Sequence, residues 1–181
     1  MANFGEQKRK NKSACNDQMA GKEFFKQALN HHMRGDLSNA EKVYRQALQI
    51  GYLNGDLLSN LGVICQQGGR TEEAIHLYQK AIDINPHHLD AYTNLASIYK
   101  TIGSFEQALT YTLKSLELKP DNPTAHMNLG GIYKDLHNLD QALVSTLKSL
   151  ELQPDNPDAL MNLGGIYKDL HNLGQALASI L

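Results

Sequence analysis

The stretch NLGGIYKDLHNL stands at residues 128–139 and again, letter for letter, at 162–173. The copies begin 34 residues apart, and a fixed period between about 20 and 50 residues marks a chain assembled from stacked units rather than around one irregular core. Carried outward, the frame tiles 21–54, 55–88, 89–122, 123–156 and 157–181 without gaps, the last stopping after 25 positions. The eighth position is small every time (Ala28, Gly62, Ala96, Gly130, Gly164), and the twentieth is always alanine (Ala40, Ala74, Ala108, Ala142, Ala176). Small residues at two fixed points let antiparallel helices cross closely, because nothing larger than a methyl fits between the backbones.

Other columns supply the filling. Position seven holds Leu61, Leu95, Leu129 and Leu163; position eleven holds Cys65, Tyr99, Tyr133 and Tyr167; position twenty-eight holds Leu48, Ile82, Leu116 and Leu150. Spacings of three and four put such residues on one helix face. Position sixteen offers the N-caps Asp36, Ser104, Asn138 and Asn172, and position nineteen holds Asn39, Glu73, Gln107, Gln141 and Gln175, an approximate capping box that starts a second helix. In the two PDNP linkers, Pro120 and Pro154 close one repeat, and Asn122 or Asn156 caps a helix whose first residue is Pro123 or Pro157. Each repeat thus reads as helix, tight turn, helix and stop. Residues 123–147 and 157–181 match at 20 of 25 positions, which points to tandem duplication, so the repetition is architectural and not in itself catalytic.

Composition excludes several functions. A net charge of −2 over 181 residues suggests no general affinity for nucleic acid or anionic membrane. Cys15 and Cys65 form neither a CxxC pair nor a zinc spacing, so a reducing cytoplasm is the expected location. No segment reaches the roughly 18 to 20 apolar residues of a membrane span, and the first twenty lack a signal-peptide core. Those twenty residues are polar, cluster Lys8, Arg9, Lys10 and Lys12, and carry only Phe4 as a large anchor. They read as a flexible basic arm, residues 1–20, ahead of the repeats at 21–181. Four charges could touch nucleic acid or acidic lipid, but a solubilising tail is the simpler reading.

The combined pattern resembles the tetratricopeptide repeat: Phe24, Leu58 or Tyr92 at position four, Leu with Gly or Ala at seven and eight, Tyr at eleven, Gly35, Gly69 and Gly103 at fifteen, Ala at twenty, and Pro86, Pro120 and Pro154 at thirty-two. The resemblance implies an all-α fold, a right-handed α-solenoid of helix-turn-helix units that binds protein or peptide. His137 and His171 replace the turn glycine; histidine is among the residues tolerated at positive φ. Gln27 and His31 replace core residues in the first repeat, as suits a terminal unit with one wetter face.

Binding residues are expected on the first helix of each repeat, which lines the inner surface in this family. Position six gives Asn60, Asn94, Asn128 and Asn162. An asparagine amide both donates and accepts, so a column of them can hold the backbone of an extended or helical segment; it is similar to the asparagine ladder of the O-GlcNAc transferase repeats. The plainer alternative is a solvated polar face copied by duplication. Lys100, Lys134 and Lys168 at position twelve could pair with acidic ligand groups or simply be solvated, and Gly131 and Gly165 at position nine could open the face to close backbone approach. The family's clamp for acidic chaperone tails needs lysine at position five, where this chain has Phe25, Ser59, Thr93, Met127 and Met161.

No catalytic constellation, phosphate loop or metal-ligand spacing is present, so neither enzyme activity nor a cofactor is expected from these residues. The last repeat stops at Leu181, where earlier ones continue with KSLELKP or KSLELQP. Two expectations follow from that uncapped end. The chain could be the substrate-presenting arm of a longer glycosyltransferase or sulfotransferase, or it could self-associate through that end.

Overall fold

A computed structural model describes the backbone of residues 4–178 and the side chains of residues 16–172. All regular structure among the described residues is helical. Contacts divide the chain into two compact units, 1–86 and 87–181. The first unit holds α1 (Phe4–Met33), α2 (Leu37–Gln49), α3 (Gly55–Gln67) and α4 (Thr71–Ile84). The second holds α5 (Leu89–Thr101), α6 (Phe105–Leu118), α7 (Pro123–Asp135), α8 (Leu139–Leu152) and α9 (Pro157–Ala178). Within each unit, helices joined by a tight turn pack as hairpins, α1 on α2, α3 on α4, α5 on α6 and α7 on α8, and successive hairpins stack.

The turns are Schellman motifs. Gly35, Gly69 and Gly103 take φ of +76°, +73° and +77°, and His137 takes +58°, the left-handed conformation that lets the chain reverse. The next residue returns its N–H to the helix it leaves, as in Asp36 N to His31 O at 3.0 Å and Asn138 N to Tyr133 O at 2.8 Å. That residue is also the N-cap of the second helix. Asp36 and Asn138 accept from the backbone N–H of Asn39 and Gln141, while Ser104 and Arg70 make no side-chain cap bond. At the far end, Asn85 and Lys119 turn extended and Gln153 leaves the helical region ahead of each proline, because the proline ring disfavours helical backbone in the residue before it. Asn54, His88, Asn122 and Asn156 then cap α3, α5, α7 and α9.

The small positions sit at the helix crossings. Ala28, Ala40, Ala74, Ala96, Ala108 and Ala142 are fully buried; a Cβ on Gly62 would come within 2.8 Å of the Tyr78 ring, and one on Gly130 would collide with the Thr146 hydroxyl. Leu61, Leu95 and Leu129 fill the crossings as expected. Position twenty-eight does not: Leu48, Ile82, Leu116 and Leu150 are only half-buried, and the neighbouring column Ala47, Ala81, Ser115 and Ser149 is closed off. A small residue at position twenty-seven lets the second helix lie closer, which swings the leucine toward the rim.

α1 starts at Phe4, so the backbone of the segment read as an arm is helical and continuous with the first repeat; Asn16 to Ala20 on it are exposed. Its cluster Lys8, Arg9, Lys10 and Lys12 lies outside the described side chains, as do Gln175 and Ala176. The fifth repeat does not turn. α9 runs unbroken through His171 and Asn172, although repeat four bends at the identical His137. In repeat four, the helix after the bend buries Leu139, Ala142, Ser145, Thr146 and Ser149, which offsets a left-handed histidine costing roughly 1–2 kcal/mol.

Candidate functional site

In the first unit, position six is Asn60 on α3. It is half-buried and hydrogen-bonds the Tyr44 hydroxyl of α2. Burial pushes the Tyr44 phenol up to about 12, against a smaller downward pull from that hydrogen bond.

In the second unit, the three equivalent asparagines differ. Asn94 on α5 is half-buried. Asn128 on α7 is fully buried, and neither its Nδ2 nor its Oδ1 has a partner. Asn162 on α9 is 9% exposed and donates from Nδ2 to Met127 O at 3.3 Å, a bond that ties the fifth repeat to the fourth. The expected column therefore has one member spent on packing and one wholly unsatisfied. An unpaired buried amide costs about 1–3 kcal/mol.

The lysines bear directly on this face. Lys100 Nζ lies 3.2 Å from the point where a Cβ would stand on Gly131, with Asn162 Nδ2 3.4 Å from the same point, and Lys134 Nζ lies 3.3 Å from the corresponding point on Gly165. Position-nine glycine thus makes room for the lysine of the preceding repeat. Burial lowers the pKa of Lys100, the carboxylates of Asp135 and Asp158 raise it, and Lys134 lowers it further. Lys134 is half-buried and Lys168 exposed.

One cluster escaped the sequence. In the first unit, Arg45 bridges Glu41 and Glu73, each at 2.7 Å, and Arg70 bridges the same carboxylates at 2.8 and 3.2 Å. The ring surrounds the fully buried thiol of Cys65, 3.5 Å from Arg70. Its one legible sign is Arg70 itself, which stands where other repeats carry a capping Asp, Ser or Asn. Burial raises the Cys65 pKa, and the cluster ties α2 to α3 and α4 through Arg45. Among the described residues, no three His, Cys, Asp or Glu side chains are placed to share a metal ion, and no helix is long and apolar enough to cross a membrane.

Models of the tetratricopeptide repeat match residues 53–121 and 123–156, more than half of the chain. The chain belongs to the tetratricopeptide repeat family. Tetratricopeptide repeats are protein–protein interaction scaffolds, and solved members share this fold. YrrB, described as a tetratricopeptide repeat protein with an unusual peptide-binding site, superposes with a TM-score of 0.68 at 24% identity, over 78% of this chain and 73% of its own. A tetratricopeptide repeat protein from Parabacteroides merdae gives 0.71 at 26% identity over 85% of this chain and 61% of its own, so this chain spans about three fifths of that one. TTC0263, a thermophilic tetratricopeptide repeat protein of Thermus thermophilus, gives 0.69 at 22% over 88% and 87%. At such identities the likeness is one of fold. No curated protein matches the chain significantly.

Proposed function

We propose that this tetratricopeptide repeat protein is a non-enzymatic cytoplasmic scaffold that holds an extended or helical segment of another protein against the first helices of its repeats. Asn60, Asn94, Asn128 and Asn162 supply amides, and Lys100, Lys134 and Lys168 supply charge. The observation that carries the reading is the Asn128 amide, buried and unpartnered on α7. A peptide backbone is the ligand that would satisfy a donor and an acceptor on one side chain at once. That YrrB is described by its peptide-binding site makes a peptide the first ligand class to try.

The test is selection from a random-peptide display library, followed by titration of the enriched peptides against the protein and against Asn94→Ala and Asn128→Ala. Enriched peptides should lose about tenfold or more in affinity with each variant, at unchanged helicity by circular dichroism, since hydrogen bonds of this kind contribute about 0.5–1.5 kcal/mol each and more when buried. A library that yields no binder, or binders indifferent to both substitutions, would refute the proposal.

A further inference from the structure

The hydroxyl of Tyr44 joins three helices of the first unit. Tyr44, at position twenty-four on α2, is fully buried. Its oxygen lies 3.4 Å from His32 Nδ1 at position twelve on α1, with the two rings edge to face and their centroids 6.1 Å apart. The same oxygen bonds the amide of Asn60 on α3. That amide pulls the phenol pKa down, as a group donating to the oxygen does, so Asn60 gives its N–H and the hydroxyl proton goes to His32. Repeat two draws the bond between the same two positions: Tyr78 Oη donates to Gln66 Oε1 at 3.1 Å. Glutamine accepts at any pH, whereas a histidine nitrogen accepts only while it is unprotonated.

With His32 neutral, the chain runs from the Asn60 N–H through the Tyr44 O–H to His32 Nδ1. A proton on Nδ1 makes that nitrogen a donor, so Tyr44 accepts from it and must place its own proton elsewhere. A buried polar group left unpaired costs about 1–3 kcal/mol, while an amide turned over offers its oxygen in place of its NH2 at nearly the same volume. We propose that His32 is an acid-sensitive switch: its protonation reverses this chain and turns the half-buried Asn60 amide over, so that α3 presents an amide NH2 where it presented a carbonyl oxygen. Burial lowers the His32 pKa, which holds the neutral, accepting ring near pH 7 and puts the change below the ordinary histidine value of 6.5. The charges around it are otherwise engaged. On α2, the helix packed on α1, Glu41 and Arg45 belong to the ring around Cys65 and Lys42 is exposed; on α1, His31 pairs with Asp36 at 2.9 Å. The reversal does not depend on the peptide-binding reading. Under that reading, acid exchanges an acceptor for a donor at Asn60.

An NMR titration from about pH 8 to about pH 5 follows the His32 ring and the Asn60 side-chain amide, the latter assigned by its loss in Asn60→Ala. Neutral His32 should carry its proton on Nε2, and the Asn60 amide resonances should shift with the same midpoint as the His32 ring. That shift should vanish in Tyr44→Phe, which keeps the ring but not the relay, and in His32→Gln, which copies repeat two. It should persist in His31→Asn. A neutral His32 with its proton on Nδ1 overturns the proposal, as does an Asn60 amide that stays flat through the His32 midpoint. An Asn60 shift that survives in Tyr44→Phe, or is lost in His31→Asn, overturns it too. Where a variant fails to fold, the tautomer and the paired midpoints of the unaltered protein still decide. Each of these failures leaves the peptide-binding reading untouched, because no peptide enters the measurement.

Discussion

At Tyr44, burial and ionisation meet. The ring is fully enclosed, and its hydroxyl bonds Asn60. The neutral phenol is therefore favoured in the folded protein, with a pKa pushed up to about 12 from 10.0. The unfolded chain loses the proton first, so Tyr44 contributes stability that is whole below pH 10 and disappears as the pH climbs through 12. Tyr44→Phe should cost about 1 kcal/mol at pH 8 through the lost hydrogen bond, yet hold its urea midpoint better than the parent between pH 10 and 11.5. Parallel loss of midpoint in both proteins would show that Tyr44 titrates as it does in the unfolded chain. At this scale the sequence was readable where size was the constraint. Alanine at twenty and glycine or alanine at eight follow from the helix crossing alone. Asn128 was readable as a polar residue on the first helix of its repeat, but its lack of any partner was not, because satisfaction depends on atoms from other repeats.

Helices begin where a side chain caps them, and their caps are not equivalent. Asn122 caps Ala125 N and also donates to Thr93 Oγ1 at 3.2 Å and Ser115 Oγ at 2.9 Å, which are bonded to each other at 2.8 Å. It pins three helices of the second unit at one point. Asn156 accepts only from the backbone of its own helix, from Asp158 N and Ala159 N. Asn122→Ala should then destabilise by about 2 kcal/mol and Asn156→Ala by about 1 kcal/mol, read from urea midpoints. Equal losses would mean that the Thr93–Ser115 pair does not depend on the cap. The PDNP linkers announced both caps, and the period of the apolar columns announced the helices. His88 capping α5 went unread because histidine is an uncommon N-cap. The leucines of position twenty-eight were placed too deep, because a 3.6-residue pattern cannot tell which edge of an apolar stripe faces the closest neighbour.

Over the chain as a whole, stability follows the number of neighbours a helix has. Among the described residues, α7 packs against α5, α6, α8 and α9, whereas α9 packs mainly on α7 and α8 and leaves Leu160, Met161 and Tyr167 at least half exposed. Since residues 128–135 and 162–169 are spelled alike, the free peptides would exchange amide hydrogens at equal rates, and any difference in the protein reports packing. Exchange in 162–169 should be at least tenfold faster than in 128–135 by mass spectrometry of overlapping fragments. Equal rates would mean that the two copies are equally held. The all-helical class was legible because every unit repeats one pattern. The straight course of α9 was not, since the cost of a bend is local and its return comes from residues further on.

The bend at His137 and its absence at His171 bear on how such a chain is made. A ribosome releases repeat four from its amino end, so His137 emerges before the helix that stabilises its left-handed backbone. Until enough of 139–152 is out, the residues that pack against α7 are missing, and nothing offsets the left-handed backbone of His137. Closing the hairpin is then a late, cooperative event set off by downstream residues. Copying the letters of a repeat transplants its helices but not its bend.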